Sequence, residues 1–235
     1  MTNLLQIASK LDLSARSPNI TSRFFKIGVG DYAEHDQFIG VSNPVLRSIA
    51  KEFHMLSILE IQTLIHSPVN EKRLLALFIL VNQYQKGPLD KETCFQFYIK
   101  NLAHINNWNL VDASAHWIVG AHLMHGEKDL LLTLAKSDII WERRVAIVAT
   151  WYFIRHNSFE WTIKLAQLLC HDSHDLIHKA VGWMLREAGK RDQNVLIGFL
   201  EQYANTMPRT MLRYSIEKLS VEKRKFYLET GRMDL

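Results

Sequence analysis

The chain has 235 residues, of which 48% are hydrophobic, and its 28 lysines and arginines exceed its 24 acidic residues to give a net charge of +4. This composition suffices for a sizeable core, and no Gly-, Ser- or Pro-rich tract suggests a linker or a disordered tail. The longest apolar runs are much shorter than the roughly 18 residues of a membrane-spanning helix, the N-terminus lacks a secretory pattern, and the two cysteines form no paired motif. We therefore expect a cytoplasmic protein without membrane attachment, whose mild positive charge favours an anionic partner.

Helical patterns follow one another along the chain. Ser42 or Asn43 can cap a helix that has Pro44 in its first turn, and Ser57 with Glu60 forms a capping box. From NEKRLLALFILVNQYQKG to PRTMLRYSIEKLS, further segments carry apolar residues three and four positions apart, with short polar breaks between them. Alternating strand patterns and hairpin turns are absent from the sequence, so we predict an all-α fold.

The helices also recur at a regular distance. Basic-then-apolar helices begin near Arg73, Asn107, Arg143 and Lys179, at intervals of about 35 residues, with a step of about 30 to Arg209. This period favours a curved solenoid of HEAT-like repeats with a concave face, forming one domain over residues 1–235. An irregular helical bundle is the alternative.

The segment NNWNLVDASAHW places a tryptophan and an aspartate four residues apart. On a regular helix over residues 106–121, Trp108 and Asp112 share one face. The opposite face carries the apolar stripe Leu110, Val111, Trp117, Ile118 and Ala121. Either Trp108 and Asp112 form a functional site, or the indole packs under a neighbouring repeat and the carboxylate pairs with a basic side chain.

A second tryptophan lies off the apolar stripe in HDLIHKAVGWMLREAGKR. Trp183 is flanked there by Lys179, Arg186 and Lys190, whereas the buried stripe is predicted to consist of Ile177, Val181, Met184, Leu185 and Ala188. An indole among cations suits a surface that meets phosphates and a flat ring. The alternative is an exposed indole covered by the stems of the basic side chains.

Between these segments, WERRVAIVATWYFIRH is apolar nearly all round. Its wheel does not show which way Arg143 and Arg144 point, and such arginines either pair with carboxylates or bind phosphate.

HDSHDLIH has a spacing that could hold a metal, but no further ligand completes a site. EKRK near the C-terminus is interpreted as a solvated face. We therefore predict neither a metal nor a cofactor.

Several of these segments resemble a known family. WNLVD, WERRVAI and HKAVGWMLRE resemble segments of the AlkD family of DNA alkylation-repair glycosylases, and RFFKIGVGDYAEHDQFIGV, which contains residues 24–41, resembles its N-terminal segment. The resemblance implies HEAT-like repeats that hold duplex DNA in a concave face and excise positively charged N3- and N7-alkylated purines. It also implies that Trp108 and Trp183 contact the lesion, that Asp112 is the active-site carboxylate, and that Arg144, or Arg143 beside it, contacts DNA.

The resemblance implies the substrate and excision without base flipping, and the residues are consistent with a simple reaction. An alkylated, positively charged purine is a good leaving group, so a carboxylate that stabilises the cationic sugar and holds a water is sufficient. We expect a monomeric base excision repair glycosylase that releases 7-methylguanine and 3-methyladenine from double-stranded DNA, without deep base flipping. Lys179, Arg186 and Lys190 would grip phosphates. The alternative is a non-catalytic helical-repeat protein that binds damaged or branched nucleic acid, or another protein.

Overall fold

The computed structural model describes residues 2–230, except for the side chains of residues 20, 21 and 230. All regular elements in this range are helices, and the extended backbone contributes one isolated parallel bridge between Gln37 and Val69. The prediction of an all-α fold is therefore confirmed. Among the described residues, we found no helix with both the length and the apolar character needed to cross a bilayer.

The chain divides into two compact units at Ser114. The first unit contains α1 (Asn3–Ser14), α2 (Asn19–Ser22), α3 (Asn43–Glu52), α4 (Ile58–Ile65), α5 (Asn70–Lys86), α6 (Lys91–Lys100), a 3-10 turn (Leu102–His104) and nearly all of α7 (Trp108–Ala115). The second unit continues with a π-helical turn (His116–Gly120), α8 (Ala121–Leu123), α9 (Asp129–Ala135), α10 (Ile140–Arg155), α11 (Glu160–Leu168), α12 (Asp175–Arg191), α13 (Gln193–Tyr203), α14 (Arg209–Ser215) and α15 (Val221–Thr230).

In the first unit, α3 and α4 pack against α5. The run LLALFILV makes α5 apolar on every side, which is typical of a helix enclosed by its neighbours, and all eight of these residues are buried. The predicted cap of α4 is present, because the Ser57 side chain accepts from the Glu60 amide while the Glu60 carboxylate accepts from the Ser57 amide. Pro44 lies in the first turn of α3, as predicted.

In the second unit, α12 packs between α10 and α14, and α9, α11 and α13 pack against these longer helices. Five side chains form the core-facing stripe of α12 as predicted: Ile177, Val181, Met184, Leu185 and Ala188. The helix α12 therefore buries one stripe of apolar side chains between α10 and α14, which is compatible with stacked helix pairs.

A repeated hydrogen bond, from a side chain near the start of a long helix to a backbone carbonyl, holds the loop that precedes that helix. Arg73 Nη1 donates to the Ser67 carbonyl at 2.9 Å, and Arg143 Nη1 donates to the Ser137 carbonyl, also at 2.9 Å. Both serines also accept a hydrogen bond from the backbone amide two residues later. His178 makes the corresponding contact to the carbonyl six residues before it. The period of about 35 residues seen in the sequence thus corresponds to a repeated structural feature.

Glycines permit two close approaches between long helices of the second unit. A Cβ added to Gly182 would lie 2.5 Å from the Met211 carbonyl oxygen and 2.6 Å from Tyr214 Cβ. A Cβ added to Gly120 would lie 2.1 Å from the Ala149 carbonyl oxygen. Because both obstructing oxygens belong to helix backbones, neither contact can be relieved by a side-chain rotation.

We predict that Gly182→Ala lowers the free energy of unfolding by about 1–3 kcal/mol, because α12 and α14 must separate to admit the methyl group. Gly198 in α13 offers a matched control, since a Cβ built there meets nothing within 4 Å. Gly198→Ala should stabilise the protein by roughly 0.5–1 kcal/mol through helix propensity. Urea unfolding followed by circular dichroism measures both values; equal effects of the two substitutions would contradict the packing described.

Candidate functional site

A pocket of about 460 Å³ opens in the first unit, between the segment that follows α2 and the helices α5 and α7. This volume lies within the range typical of small-ligand sites. Its walls combine aromatic rings with carboxylates, and the residues that determine its chemistry are Phe24, Phe25, Phe38, Glu71, Trp108 and Asp112.

Trp108 forms part of an aromatic stack at this pocket. It is the first residue of α7 and is half-buried. The Phe25 ring stacks on its indole with centroids 5.0 Å apart, and the Phe38 ring stacks on Phe25 at 4.8 Å. Phe24 is exposed at the same pocket, with the Arg23 guanidinium 4.8 Å from its ring centroid. The wall beside Trp108 is therefore aromatic, and a ring face that the stack leaves open attracts cations.

Asp112 lies one helical turn after Trp108 and lines the same pocket. It is half-buried, so its carboxylate combines access to the pocket with partial shielding from solvent. The spacing of four residues thus places the indole and the carboxylate beside one cavity, as a regular helix requires.

Glu71 is a second carboxylate at the pocket, and its position was not predicted from the sequence. This buried side chain accepts hydrogen bonds from the Gly40 amide at 2.9 Å and from the Ile39 amide at 3.2 Å. Gly40 adopts a φ of +75°, and a Cβ there would lie 2.7 Å from the Arg16 carbonyl oxygen. Glu71 therefore ties the end of the N-terminal segment, and with it the Phe38 wall, to α5.

A buried polar network fixes the start of α7. Asp36 accepts hydrogen bonds from Asn70 Nδ2 at 2.8 Å and from Asn107 Nδ2 at 2.7 Å, and it forms an ion pair with Arg73. The Asp36 and Arg73 side chains are each only 5% exposed. Asn107 Oδ1 in turn accepts from the Trp108 amide at 2.7 Å. Because each of these groups restrains the next, the network sets the position from which Trp108 enters the pocket.

The other end of α7 has its own buried restraint. Ser114 Oγ donates to the Leu110 carbonyl at 2.6 Å, so it is available to accept from the Tyr98 hydroxyl at 3.0 Å. Burial raises the pKa of Tyr98, which keeps this hydroxyl protonated at neutral pH. Asp112 therefore lies on a helix that is held by hydrogen bonds on both sides of it.

Trp183 lies in the second unit within a row of half-buried tryptophans. The Trp151 ring meets it edge-on with centroids 5.0 Å apart, and His116 lies 4.4 Å from Trp151. Arg155 lies over the Trp117 ring at 4.6 Å. Trp117, Trp151 and Trp183 follow one another at about the repeat period, which sequence analysis did not recognise as a row.

Trp117 and Ala121 were predicted to belong to the core stripe, and this prediction was wrong because both residues are half-buried. The wheel assumed a regular helix up to residue 121. Residues His116–Gly120 instead form a π-helical turn. A π turn contains more residues than an α turn, so the directions of the side chains within and after it depart from the 100° step.

The predicted cationic flank of Trp183 is largely neutralised within the fold. Lys179 pairs with Asp175 at 2.8 Å, and Lys190 pairs with Glu187 at 2.9 Å. Arg186 forms ion pairs with Glu187 and Glu217. The two lysine side chains remain 38% and 43% exposed, so their ammonium groups are still accessible to an external anion.

The two adjacent arginines of α10 both make contacts within the second unit. Arg143 donates to both carboxylate oxygens of Asp172, from Nε at 2.6 Å and from Nη2 at 3.3 Å. Arg144 is only 5% exposed and donates to the Leu176 carbonyl. Both guanidinium groups therefore help to hold α10 against the segment that leads into α12, and a role for either in binding DNA stays a prediction.

The remaining titratable motifs form no site in the described part of the chain. His174 Nδ1 accepts from the Leu176 amide, and no group of three or more His, Cys, Asp or Glu residues within the described range could hold a metal. Burial raises the pKa of Cys94 to about 11, so its thiol is protonated at neutral pH and is a poor nucleophile.

One comparison with known proteins identifies a family, and a second shows a similar fold. The sequence model of the family described as "DNA alkylation repair enzyme" matches residues 14–219. Among solved structures, the "Predicted DNA alkylation repair enzyme from Enterococcus faecalis" superposes with a TM-score of 0.68, covering 88% of this chain and 98% of that chain at 17% identity. At this identity the similarity concerns the fold. A comparison with curated proteins gives no match.

We predict that Asp36→Asn destabilises the protein by about 3–5 kcal/mol, because it leaves the buried Arg73 guanidinium without a counter-charge. Glu52→Gln is the matched control: it breaks the exposed pair with Lys10, where a loss below about 1 kcal/mol is expected. Urea unfolding measures both losses. Equal losses of unfolding free energy for the two substitutions would show that the buried network does not stabilise the protein more than an exposed ion pair does.

Proposed function

This chain belongs to the family of DNA alkylation repair enzymes, and we propose that it is a DNA glycosylase that removes positively charged N3- and N7-alkylated purines from double-stranded DNA. The family predicted from WNLVD, WERRVAI and HKAVGWMLRE is thereby confirmed. Membership implies DNA as the substrate and alkylation damage as the target. The glycosylase reaction, the two purine classes and the residues that act are our proposal.

The observation that carries the proposal is the placement of Asp112 and Trp108 at one aromatic pocket. A carboxylate beside the deoxyribose stabilises the positive charge that develops on the sugar as the glycosidic bond breaks. A ring face that is open to the pocket favours a cationic base over a neutral one, by roughly 0.5–2 kcal/mol for each favourable contact, and Trp108 and Phe24 are the lining rings that we propose make it. Selection for charged lesions follows from these two properties.

The chemical step needs no general acid. When the bond between C1′ and the alkylated purine breaks, its electron pair moves to the base nitrogen and neutralises the positive charge already on the ring. A water then adds to C1′ and loses a proton, and in this proposal Asp112 orients that water and accepts the proton. The products are the free alkylated base and an abasic site, which is the first intermediate of base excision repair.

The second unit supplies the remaining parts of the proposal. Trp183 would be the second lesion contact, with Trp151 supporting its ring from the side. The accessible ammonium groups of Lys179 and Lys190, together with Arg186, would exchange carboxylate partners for phosphates. Arg143 and Arg144 would contribute to DNA binding by holding in place the segment that leads into α12. The predicted concave face, action as a cytoplasmic monomer and excision without deep base flipping belong to the same proposal.

Release of free 7-methylguanine or 3-methyladenine from methylated plasmid DNA by the purified protein is the direct test. Binding to that DNA without base release would indicate the rival function, a non-catalytic protein that recognises damaged or branched nucleic acid.

We expect Asp112→Asn to lower the rate of 7-methylguanine excision by about two to three orders of magnitude, because the amide retains the shape but loses the charge. Affinity for the lesion-bearing duplex should stay nearly unchanged. Single-turnover excision and fluorescence anisotropy measure the two quantities, with Asp129→Asn, at an exposed position of α9, as the control. Turnover by Asp112→Asn at the rate of the unmodified protein would remove Asp112 from the mechanism.

We expect Trp183→Ala to weaken binding to an alkylated duplex by about tenfold while changing binding to the undamaged duplex less, since one cation–π contact is lost. Trp161→Ala is the control, because Trp161 is also half-buried, belongs to the same unit and has a lysine, Lys164, at 4.4 Å from its ring. Anisotropy titrations give the affinity of each variant for the alkylated duplex relative to its affinity for the undamaged duplex. If this ratio of affinities is the same for Trp183→Ala and Trp161→Ala, Trp183 does not contact the lesion.

A further inference from the structure

A second pocket, of about 510 Å³, lies in the second unit between α14 and α15. It differs from the aromatic pocket in charge, because its lining includes four basic side chains and one carboxylate. These residues are Arg209, Arg213, Arg224, Lys225 and Glu229. Two of the basic residues come from EKRK, which sequence analysis interpreted as a solvated face.

Helix geometry explains why these charges converge. Arg209 and Arg213 are four residues apart on α14, so their side chains lie on the same face of that helix. On α15, Val221, Arg224 and Leu228 share the face that lines the pocket, with Lys225 beside them. Because α14 and α15 bound the pocket from two sides, the cations meet across a shared cavity rather than pointing separately into solvent.

The fold leaves this charge largely uncompensated. Lys225 and Glu229 form only a long ion pair, at 3.9 Å. Within residues 2–230, no carboxylate pairs with Arg213 or Arg224. The cations beside Trp183 differ in this respect, since Asp175, Glu187 and Glu217 pair with them. Uncompensated cations that line a cavity attract an anion.

An unsatisfied donor points to the same kind of ligand. Arg209 Nη2 donates to the Leu228 carbonyl at 2.9 Å, but its Nη1 atom is buried and has no hydrogen-bond partner among the described residues. A guanidinium nitrogen without an acceptor is costly, so a rotation of the Arg209 side chain that brings this nitrogen to an oxygen ligand in the pocket would be favourable. The planar forks of arginine match the oxygens of a phosphate in two-point contacts.

We infer that this pocket binds a phosphate group of the DNA backbone and so anchors the duplex independently of the excision chemistry. The guanidinium groups of Arg209, Arg213 and Arg224 would contact the phosphate oxygens, and the apolar Val221 and Leu228 side chains would lie against the adjoining deoxyribose. The inference rests on DNA as the ligand, which it shares with the proposed function, but it does not require base release.

The test uses the double variant Arg213→Gln/Arg224→Gln in the full-length protein. Arg209 is left intact because its bond to Leu228 also holds α15 against α14. The control is Lys86→Gln/Lys100→Gln, which removes the same charge from exposed positions in the first unit. Thermal unfolding of both variants checks that each is folded. Binding of a fluorescent, undamaged duplex is then measured across a series of KCl concentrations.

The slope of log K against log salt is negative, and each lost phosphate contact reduces its magnitude by about 0.9. We therefore expect the arginine double variant, which loses the one phosphate contact inferred here, to bind the duplex at least about tenfold more weakly at low salt and to show a slope smaller in magnitude by about 1. The lysine double variant should show a smaller loss of affinity and an unchanged slope. Equal behaviour of the two variants would overturn the inference.

A second arm separates backbone phosphate from a free anion. Inorganic phosphate is added at constant ionic strength, and its effect on thermal stability is compared between the unmodified protein and the arginine double variant. If that variant loses stabilisation by inorganic phosphate yet binds the duplex as the lysine variant does, the pocket holds a free anion and the inference is wrong. Repeating the salt series in an Asp112→Asn background should give the same change of slope. Failure of the glycosylase proposal would appear as absent base release with that change of slope preserved.

Discussion

The buried ion pair between Asp36 and Arg73 is the contact on which the candidate site depends. A carboxylate removed from water must have its oxygens satisfied, and here Arg73, Asn70 and Asn107 provide the donors. Those donors belong to α5 and to the residue that precedes α7, whereas Asp36 belongs to the N-terminal segment. One buried charge therefore brings three parts of the first unit together, and the aromatic wall around Trp108 is a consequence of that convergence.

The two pockets differ in charge, and the difference suits the two ligands proposed for them, a cationic base and a phosphate. The aromatic pocket is lined by two carboxylates, Glu71 and Asp112, and by one basic side chain, Arg23, a balance that suits the cationic base of the proposed function. The pocket between α14 and α15 carries four basic side chains against one carboxylate and favours phosphates. The proposed function, which holds a polyanion while recognising a positive charge on one of its bases, would use both environments.

The repeat shows how one position can be specialised without a change of fold. Arg73, Arg143 and His178 each contact a carbonyl six residues earlier, which locks a loop to the helix that follows it. Each of these three residues is the fourth residue of its helix, and the fourth residue of α7 is Val111, whose side chain has no group that could make this contact. The start of α7 is held instead by the residue before it, because Asn107 donates to Asp36 and accepts from the Trp108 amide.

The sequence by itself determined the features set by hydrogen bonds and periodicity within a few residues: the all-α fold, the capping box at Ser57, the family, and the shared face of Trp108 and Asp112. Tertiary structure alone decided the features set by distant partners. Asp36 reaches Asn107 across 71 residues, and Asp172 pairs with Arg143 across 29, so a single helix wheel contains no trace of either contact. The sequence patterns likewise contain no sign of the π turn that leaves Trp117 half-buried or of the pocket that Arg224 and Lys225 line. Local patterns follow from backbone geometry, but the partner of a charge depends on which helices the whole core brings together.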